Sequence, residues 1–261
     1  MKSSLSISVI IPCFNSEKTI KACLDSVFSQ SAHVNEIIVI DDGSIDASTT
    51  IINETFQMSN SNIKCVLEIQ ANAGPSTARN RGVMLAMSNH IAFLDSDDQW
   101  YQDHISISKQ FLEENNNYKM VATKYSSGDV KFSGVVSFEQ LLLKNYFLTP
   151  CVILNKDCFY ESGGFNVDMR YAEDYYLWLD IAYKNKVYLL DYIGAQNVEF
   201  KKPFGDKGLS SNLRAMHLGV IQCYDSLYQK RQINYKKYYI LKQFEHLKYI
   251  RRNILTLLMK K

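Results

Sequence analysis

Much that would mark a secreted, membrane-spanning or metal-stapled chain is missing here. The 261 residues contain no apolar run approaching the length of a membrane span and no secretory signal pattern, which predicts a cytoplasmic protein. Six cysteines (13, 23, 65, 151, 158 and 223) are scattered without the paired spacing of a metal site. Several lie in apolar surroundings, so they read as reduced core or surface residues. There is no internal repeat. No nucleic-acid recognition motif is present and most of the chain is acidic, so nucleic acid is not an expected partner. What remains is an ordinary globular composition, 46% hydrophobic and 21% charged, long enough for one substantial core in one or two domains.

The most informative stretch is Phe93-Leu94-Asp95-Ser96-Asp97-Asp98. Three carboxylates follow an apolar run, Ile91 to Leu94, that reads as a buried strand. Like charges this close need a compensating cation or a solvated turn. At the carboxyl end of a strand in an open α/β sheet they point into the crevice where such folds bind ligands. Oxygen ligands on a short turn suit Mg²⁺ or Mn²⁺ bridging to a diphosphate. The plainer alternative is an acidic turn capping the next helix.

A second acidic turn, Asp41-Asp42-Gly43-Ser44, ends the β-branched run Glu36 to Ile40. Its carboxylates suit a base N–H or ribose hydroxyls, with Gly43 allowing the turn, although an ordinary capped turn has the same composition. The first strand, Ser8 to Pro12, closes on Cys13-Phe14-Asn15. Between the acidic turns lies Asn72 to Gly82, where Pro75 opens a helix and Arg79 sits one turn further on. From there Arg79 reaches either a diphosphate or a strand-end Asp.

Strands are expected near 7–12, 36–41, 63–68 and 90–95, alternating with helices near 17–30, 46–58, 75–88 and 103–116. This alternation predicts a mostly parallel sheet with helices on both faces. Beyond Asn117 the order changes. Short strands near 119–126, 130–136, 150–154 and 187–190 mix with helices near 137–145, 156–162, 173–185 and 208–229. Glu173-Asp174 opens one of these helices beside Tyr175, Tyr176 and Trp178, neighbours that desolvate a carboxylate and raise its basicity. N-capping is the structural alternative for this pair. Asp180 and the lone His217 read as structural.

In this order, the blocks resemble the family 2 glycosyltransferases, the inverting group with the GT-A fold. The matching segments are Ser8 to Pro12 with Asn15, Asp41-Asp42-Gly43-Ser44, and Asn72 and Gly74 with Ala78-Arg79-Asn80 and Gly82. They continue with Asp95-Ser96-Asp97-Asp98, Gly163-Gly164-Phe165, and Glu173-Asp174 with Leu177-Trp178. The likeness covers roughly residues 5–195; Ile45 departs from it, standing where Thr is more usual before Asp46. It implies a GT-A fold with a Rossmann-like, mostly parallel sheet. A nucleotide-sugar half of about 1–117 and an acceptor half of 118–229 would form one continuous domain. It implies Asp174 as catalytic base, with Glu173 and Trp178 on the acceptor side. Pro12, Asn15, Asp41, Asp42, Asn72, Gly74, Arg79, Asp95 and Ser96 would hold the nucleotide-sugar, and Asp95, Asp97 and Asp98 the Mn²⁺ or Mg²⁺ ion. The implied reaction transfers a sugar, from UDP in the first instance, to a saccharide or lipid-linked saccharide of bacterial O-antigen, capsule or other surface polysaccharide. The alternatives are a nucleotidyltransferase, for which Pro12-Cys13-Phe14-Asn15 lacks the phosphate-loop character, and an inactive nucleotide-sugar-binding module.

The segment Lys201 to Ser210 holds two Gly, one Pro and three Lys, and reads as a loop able to close over a diphosphate. Charge is uneven: residues 230–261 carry ten Lys/Arg and one acid, a net of +9, leaving about −7 on residues 1–229 of a chain whose total is +2. Within this tail Ile240, Phe244, Leu247, Ile250, Ile254, Leu257 and Leu258 recur at helical spacing, with Lys237, Lys248, Arg251 and Arg252 toward the flanks. A basic amphipathic helix of this kind suits an anionic membrane surface, here the inner face of the cytoplasmic membrane. Otherwise its apolar stripe packs on the domain.

Overall fold

A computed structural model describes residues 5–59, 61–128, 130–198 and 212–259, with side chains of the last helix to Thr256. The expected loop at 201–210 and the start of the helix placed near 208 lie outside the described residues.

The first half is a parallel sheet. Strands β1 (Ile7–Cys13), β2 (Glu36–Asp41), β3 (Lys64–Ile69) and β4 (His90–Phe93) lie in the order β3-β2-β1-β4. Helices α1 (Ile20–Phe28), α2 (Ser48–Met58) and α3 (Pro75–Leu85) link them. Every residue of β1 and β2 is buried, as continuous apolar strands covered on both faces should be. Helix α3 lies close on the sheet at Gly82, where a Cβ would come within 2.4 Å of Ile10 Cγ2.

The second half contributes β5 (Asp98–Trp100), α4 (His104–Glu114), β6 (Tyr118–Tyr125), β7 (Gly134–Val135) and α5 (Phe138–Leu143). A 3₁₀ turn, Thr149–Cys151, leads into β8 (Val152–Asn155) and α6 (Lys156–Glu161). Then follow α7 (Glu173–Lys184), β9 (Lys186–Asn197), α8 (Leu213–Gln229) and α9 (Tyr235–Met259). One sheet of nine strands joins both halves in the order β3-β2-β1-β4-β8-β6-β9-β5, with β7 beside β9.

The sheet is continuously parallel through β3-β2-β1-β4 and mixed beyond. β8 runs antiparallel to both β4 and β6, β6 and β9 are parallel, and β5 and β7 run antiparallel to β9. The expectation of a mostly parallel sheet is therefore corrected to a mixed one. The arrangement has a consequence for the site. Because β8 and β5 run away from the carboxyl ends of β1 and β4, their first residues sit at that crevice. Because β9 runs toward it, so does its last residue, Asn197. Two other expectations shift: the strand near 130–136 shrinks to Gly134–Val135, and that near 187–190 extends to twelve residues.

Candidate active site

The crevice rim begins where β1 and β2 end. Asn15, in left-handed backbone (φ 48°), accepts from Ile45 N–H through Oδ1 at 3.0 Å and donates its own N–H to Ser44 Oγ at 2.9 Å. Asp41 is buried and turns inward. It accepts from Ser44 N–H (2.8 Å) and from the Thr49 hydroxyl (2.5 Å), so it orders the turn. Asp42 is buried too, and clamps the next loop. It accepts from Gln70 Nε2 (2.7 Å), Ala73 N–H (2.8 Å) and Gly74 N–H (2.8 Å). Gly43 (φ 80°) lets the turn press on that loop, since a Cβ there would be 3.1 Å from Asn72 N. On this side Asn15 and Asn72 are exposed and Gly74 half-buried, while both carboxylates turn away from solvent. Pro12 is buried in the sheet opposite Ile40, so its expected ligand contact is corrected to a support beneath the rim.

The acidic turn is divided by its surroundings. The Ser96 hydroxyl is 2.8 Å from that of Ser16, tying the turn to the end of β1. Asp95 accepts from Arg79 Nη2 at 2.7 Å. Asn197 Nδ2 donates to the Asp97 carbonyl at 3.0 Å, to Asp97 Oδ2 at 3.3 Å and to Asp98 Oδ1 at 3.3 Å. Tyr125 donates its hydroxyl to Asp98 Oδ1 at 2.6 Å. Burial pushes the Asp98 carboxyl up to about 8, and the neighbouring Asp95 adds to this, against the hydrogen bonds from Tyr125 and Asn197. Asp98, expected as a metal ligand, is instead a buried, hydrogen-bonded group beneath the turn.

Across the crevice stands the start of α7. Its N-cap, Ala172, is left-handed (φ 59°, ψ 23°), an uncommon conformation for a residue with a Cβ, placed directly before Glu173. Two contacts hold that backbone. The Ala172 carbonyl accepts from Cys223 Sγ (3.5 Å) and from Tyr176 N–H (3.0 Å). Asp174 accepts from Tyr175 N–H (2.6 Å) and from the Thr149 hydroxyl (3.4 Å). Glu173 Oε1 lies 3.5 Å from Arg79 Nη1. Burial, then the Asp174 charge, raise the Glu173 carboxyl to about 7, with Arg79 opposing. Burial also raises Asp174, against the Tyr175 N–H and Arg79.

Arg79 thus joins the two sides. Its guanidinium is buried, bridges Asp95 and Glu173, and lies 5.2 Å from the Phe165 ring centroid. Phe165 is fixed in turn by Asn80, which exchanges two hydrogen bonds with its backbone at 2.8 and 2.9 Å. Trp178 is wholly buried against Phe93 and Phe165. Its expected place on the acceptor side is corrected: at the second turn of α7 its ring faces the sheet, away from the crevice.

Among the described residues no three His, Cys, Asp or Glu side chains are grouped to hold a metal ion. The oxygen donors at the turn nonetheless fit a hard divalent ion. Mg²⁺ in particular is ordinarily held by one or two carboxylates, with water and substrate phosphates completing its shell. Asp97 and Asp95 supply such a pair, and Asn197 orients the first of them.

The comparisons with known proteins agree with this geometry. Residues 8–175 match the model of glycosyl transferase family 2. The chain belongs to that family. A Rickettsia felis "Uncharacterized glycosyltransferase" is 34% identical over 190 residues, covering 69% of this chain and 31% of the relative. The chain thus spans about a third of that relative's length. An Escherichia coli protein named "UDP-Glc:alpha-D-GlcNAc-diphosphoundecaprenol beta-1,3-glucosyltransferase WfaP" is 33% identical over 181 residues, covering 68% of this chain and 70% of that one. In fold, the chain is similar to S. aureus TarS 1-349, with a TM-score of 0.70 at 19% identity, covering 95% of this chain and 74% of that one. It is equally similar (0.70, 15% identity, 87% and 65% covered) to the mannosyltransferase PcManGT from Pyrobaculum calidifontis, solved with GDP-Man and Mn²⁺. The fold is that of the GT-A glycosyltransferases.

Within this family 2 chain, four contributors to the site were not singled out from sequence: Asn197, Tyr125, Thr149 and Ser16. Each reaches the crevice from an element whose place depends on long-range strand pairing. Only Ser16, adjacent to Asn15, had a sequence neighbour to point to it.

Proposed function

We propose that this glycosyltransferase moves a hexose, UDP-linked, with inversion onto a hydroxyl of a lipid-linked saccharide in bacterial surface polysaccharide synthesis. The observation that carries this is the Arg79 bridge. It sets the donor-side acidic turn and the α7 carboxylates one guanidinium apart, a spacing suited to a single displacement at one sugar carbon. The WfaP relative, named for a UDP-Glc donor and a diphosphoundecaprenol-linked acceptor, supports the substrate class.

Asp174 is the base. Its carboxylate accepts the proton of the acceptor hydroxyl as that oxygen attacks C1, and burial, which raises its basicity, favours that role. Thr149 and the Tyr175 N–H hold the carboxylate in place. Glu173 stands beside it on the acceptor side. Asn15, Asn72, Gly74 and Ser96 hold the nucleotide-sugar, with Asp41 and Asp42 shaping the loops that present them. Asp97 and Asp95 would hold Mn²⁺ or Mg²⁺, which when bound stabilises charge on the departing diphosphate. Residues 1–229 form the catalytic domain and 230–261 a tail that places it peripherally on the inner face of the cytoplasmic membrane. Among the described residues no helix is long and apolar enough to cross a membrane.

Family membership sets aside the nucleotidyltransferase reading. An inactive binding module is separated by assay. With UDP-glucose, divalent ion and a diphosphate-lipid acceptor, the protein should release UDP and form product of inverted anomeric configuration. Asp174→Asn should lower kcat by roughly 10²-fold or more, with donor affinity little changed. Retention at the anomeric carbon, or normal turnover with lost donor affinity in this variant, overturns the assignment.

A further inference from the structure

Helix α9 is packed the opposite way from an ordinary amphipathic surface helix. Beyond the buried Leu241, its inward face is polar. Glu245 is fully buried, 3.1 Å from Lys248 and 3.5 Å from His217 on α8, and paired with Arg252. Tyr249 stacks on the His217 ring at 4.6 Å, and Lys248 donates to the Leu143 carbonyl at the end of α5 at 3.2 Å. Lys248 and Arg252 therefore do not flank the apolar stripe, as the sequence led one to expect; they turn inward to compensate Glu245.

The apolar stripe is left outside. Ile240, Phe244, Leu247, Ile250 and Ile254 are each between 39% and 64% exposed. Their spacing keeps them on one face for about 20 Å of helix. A groove of about 380 Å³ runs along one end of the stripe, lined by Leu142, Leu143, Ile240 and Leu241 with Lys236 and with Lys237, which pairs with Glu139 at 2.7 Å. An exposed apolar stripe of this length marks a docking site.

Charge decides the occupant. The single acid of α9 is Glu245, and it is buried, so the exposed surface of the helix carries Lys236 and Arg251 with no acid among them. A second copy meeting this face across a two-fold axis would set like charges together. An anionic bilayer accepts both the apolar side chains and the cations.

We propose that the outward face of α9 docks on an anionic lipid surface and turns the acceptor half of the enzyme, not the donor half, toward the bilayer. Contacts within the protein set the orientation. α9 packs on α8; α8 holds the start of α7 through Cys223 and the Ala172 carbonyl; and Tyr224 and Tyr175 donate to the Leu142 and Leu141 carbonyls of α5. Two helix spacings of about 8–10 Å each separate α9 from the helix that carries Asp174. The donor-side strands β1 to β3 lie at the far end of the sheet. This inference rests on the lipid-linked acceptor reading above and adds the surface that delivers it.

The test uses the full chain and vesicles of equimolar phosphatidylcholine and phosphatidylglycerol, with phosphatidylcholine vesicles as comparison. Co-sedimentation should favour the anionic vesicles. Leu247→Glu with Ile250→Glu should weaken binding at least roughly tenfold, from the loss of two buried apolar side chains. Raising ionic strength from about 0.1 M to about 1 M shortens the screening length from about 10 Å to about 3 Å and should weaken it several-fold. In the double variant, UDP release from donor without vesicles should be unchanged, while KM for an acceptor embedded in vesicles rises. Undiminished vesicle binding by the variant overturns the proposal. So does a variant that unfolds, which would place the stripe in the core, or a wild-type dimer that the substitutions dissociate. Vesicle binding without UDP release from any sugar nucleotide would instead sink the transferase reading and leave the docking face standing.

Discussion

Replacing Arg79 by Met tests the bridge between the two halves of the site. The methionine keeps most of the aliphatic volume and contact with Phe165 but removes a cation that lies 2.7 Å from Asp95 and 3.5 Å from Glu173. Removing one partner of a buried ion pair typically costs about 3–5 kcal/mol. Asp95 is partly exposed, so the lower end, about 3 kcal/mol, is the expected loss. For a domain of this size each kcal/mol is worth about 2–4 °C, so the melting midpoint should fall by about 6–12 °C. The second effect is on pH. Arg79 is the charge that opposes the upward shift of both Glu173 and Asp174. Without it both carboxyls hold their protons to higher pH. A base acts only when deprotonated, so activity is lost as pH falls through its pKa. The acid limb of kcat/KM should therefore move to higher pH. UDP release measured from pH 5 to 9 on folded protein, beside thermal denaturation, reads both effects. Arg79→Lys restores charge but not the fork that spans two carboxylates, and should recover only part of each. An unchanged midpoint together with an unmoved acid limb would refute the bridge.

Asp97→Ala should abolish most UDP release while leaving the melting midpoint close to wild type, and excess chelator should do the same to the wild-type protein; full activity in chelator rules out a metal. Trp178→Ala should cost about 3–5 kcal/mol, as large-to-small changes in a packed core do, with KM for acceptor unchanged in the folded fraction. A raised acceptor KM at undiminished stability would return that ring to the acceptor surface.

The residues that carry the nucleotide-sugar half could be read directly. β1, β2 and β4 are short, apolar and closed by turn residues, and the α/β alternation that follows needs only local periodicity and turn chemistry. Parallel strands joined by helices bring their carboxyl ends together, so the meeting of Asn15, Asp42, Asn72 and Asp95 at one rim follows from order along the chain. The carboxylate pair at 173–174 was legible for a similar reason, since a helix start beside aromatic residues is a local feature.

What each carboxylate does there was not local. Asp41 and Asp42 are adjacent in sequence, yet one is spent on its own turn and the other on a loop some thirty residues away. Asp98 passes from metal ligand to buried acid because Tyr125 and Asn197 close over it, and β5 exists only because β9 pairs with it from about a hundred residues further on. A three-residue strand has no periodicity to read. Trp178 could not be assigned to one face of α7 from sequence, because most of that helix is buried. The same holds for α9. The sequence determined that it is a basic helix with one apolar stripe. Which face turns inward was decided by tertiary structure, which buries Leu241 and Glu245, the latter paired with Lys248 and Arg252, and leaves five apolar side chains facing out.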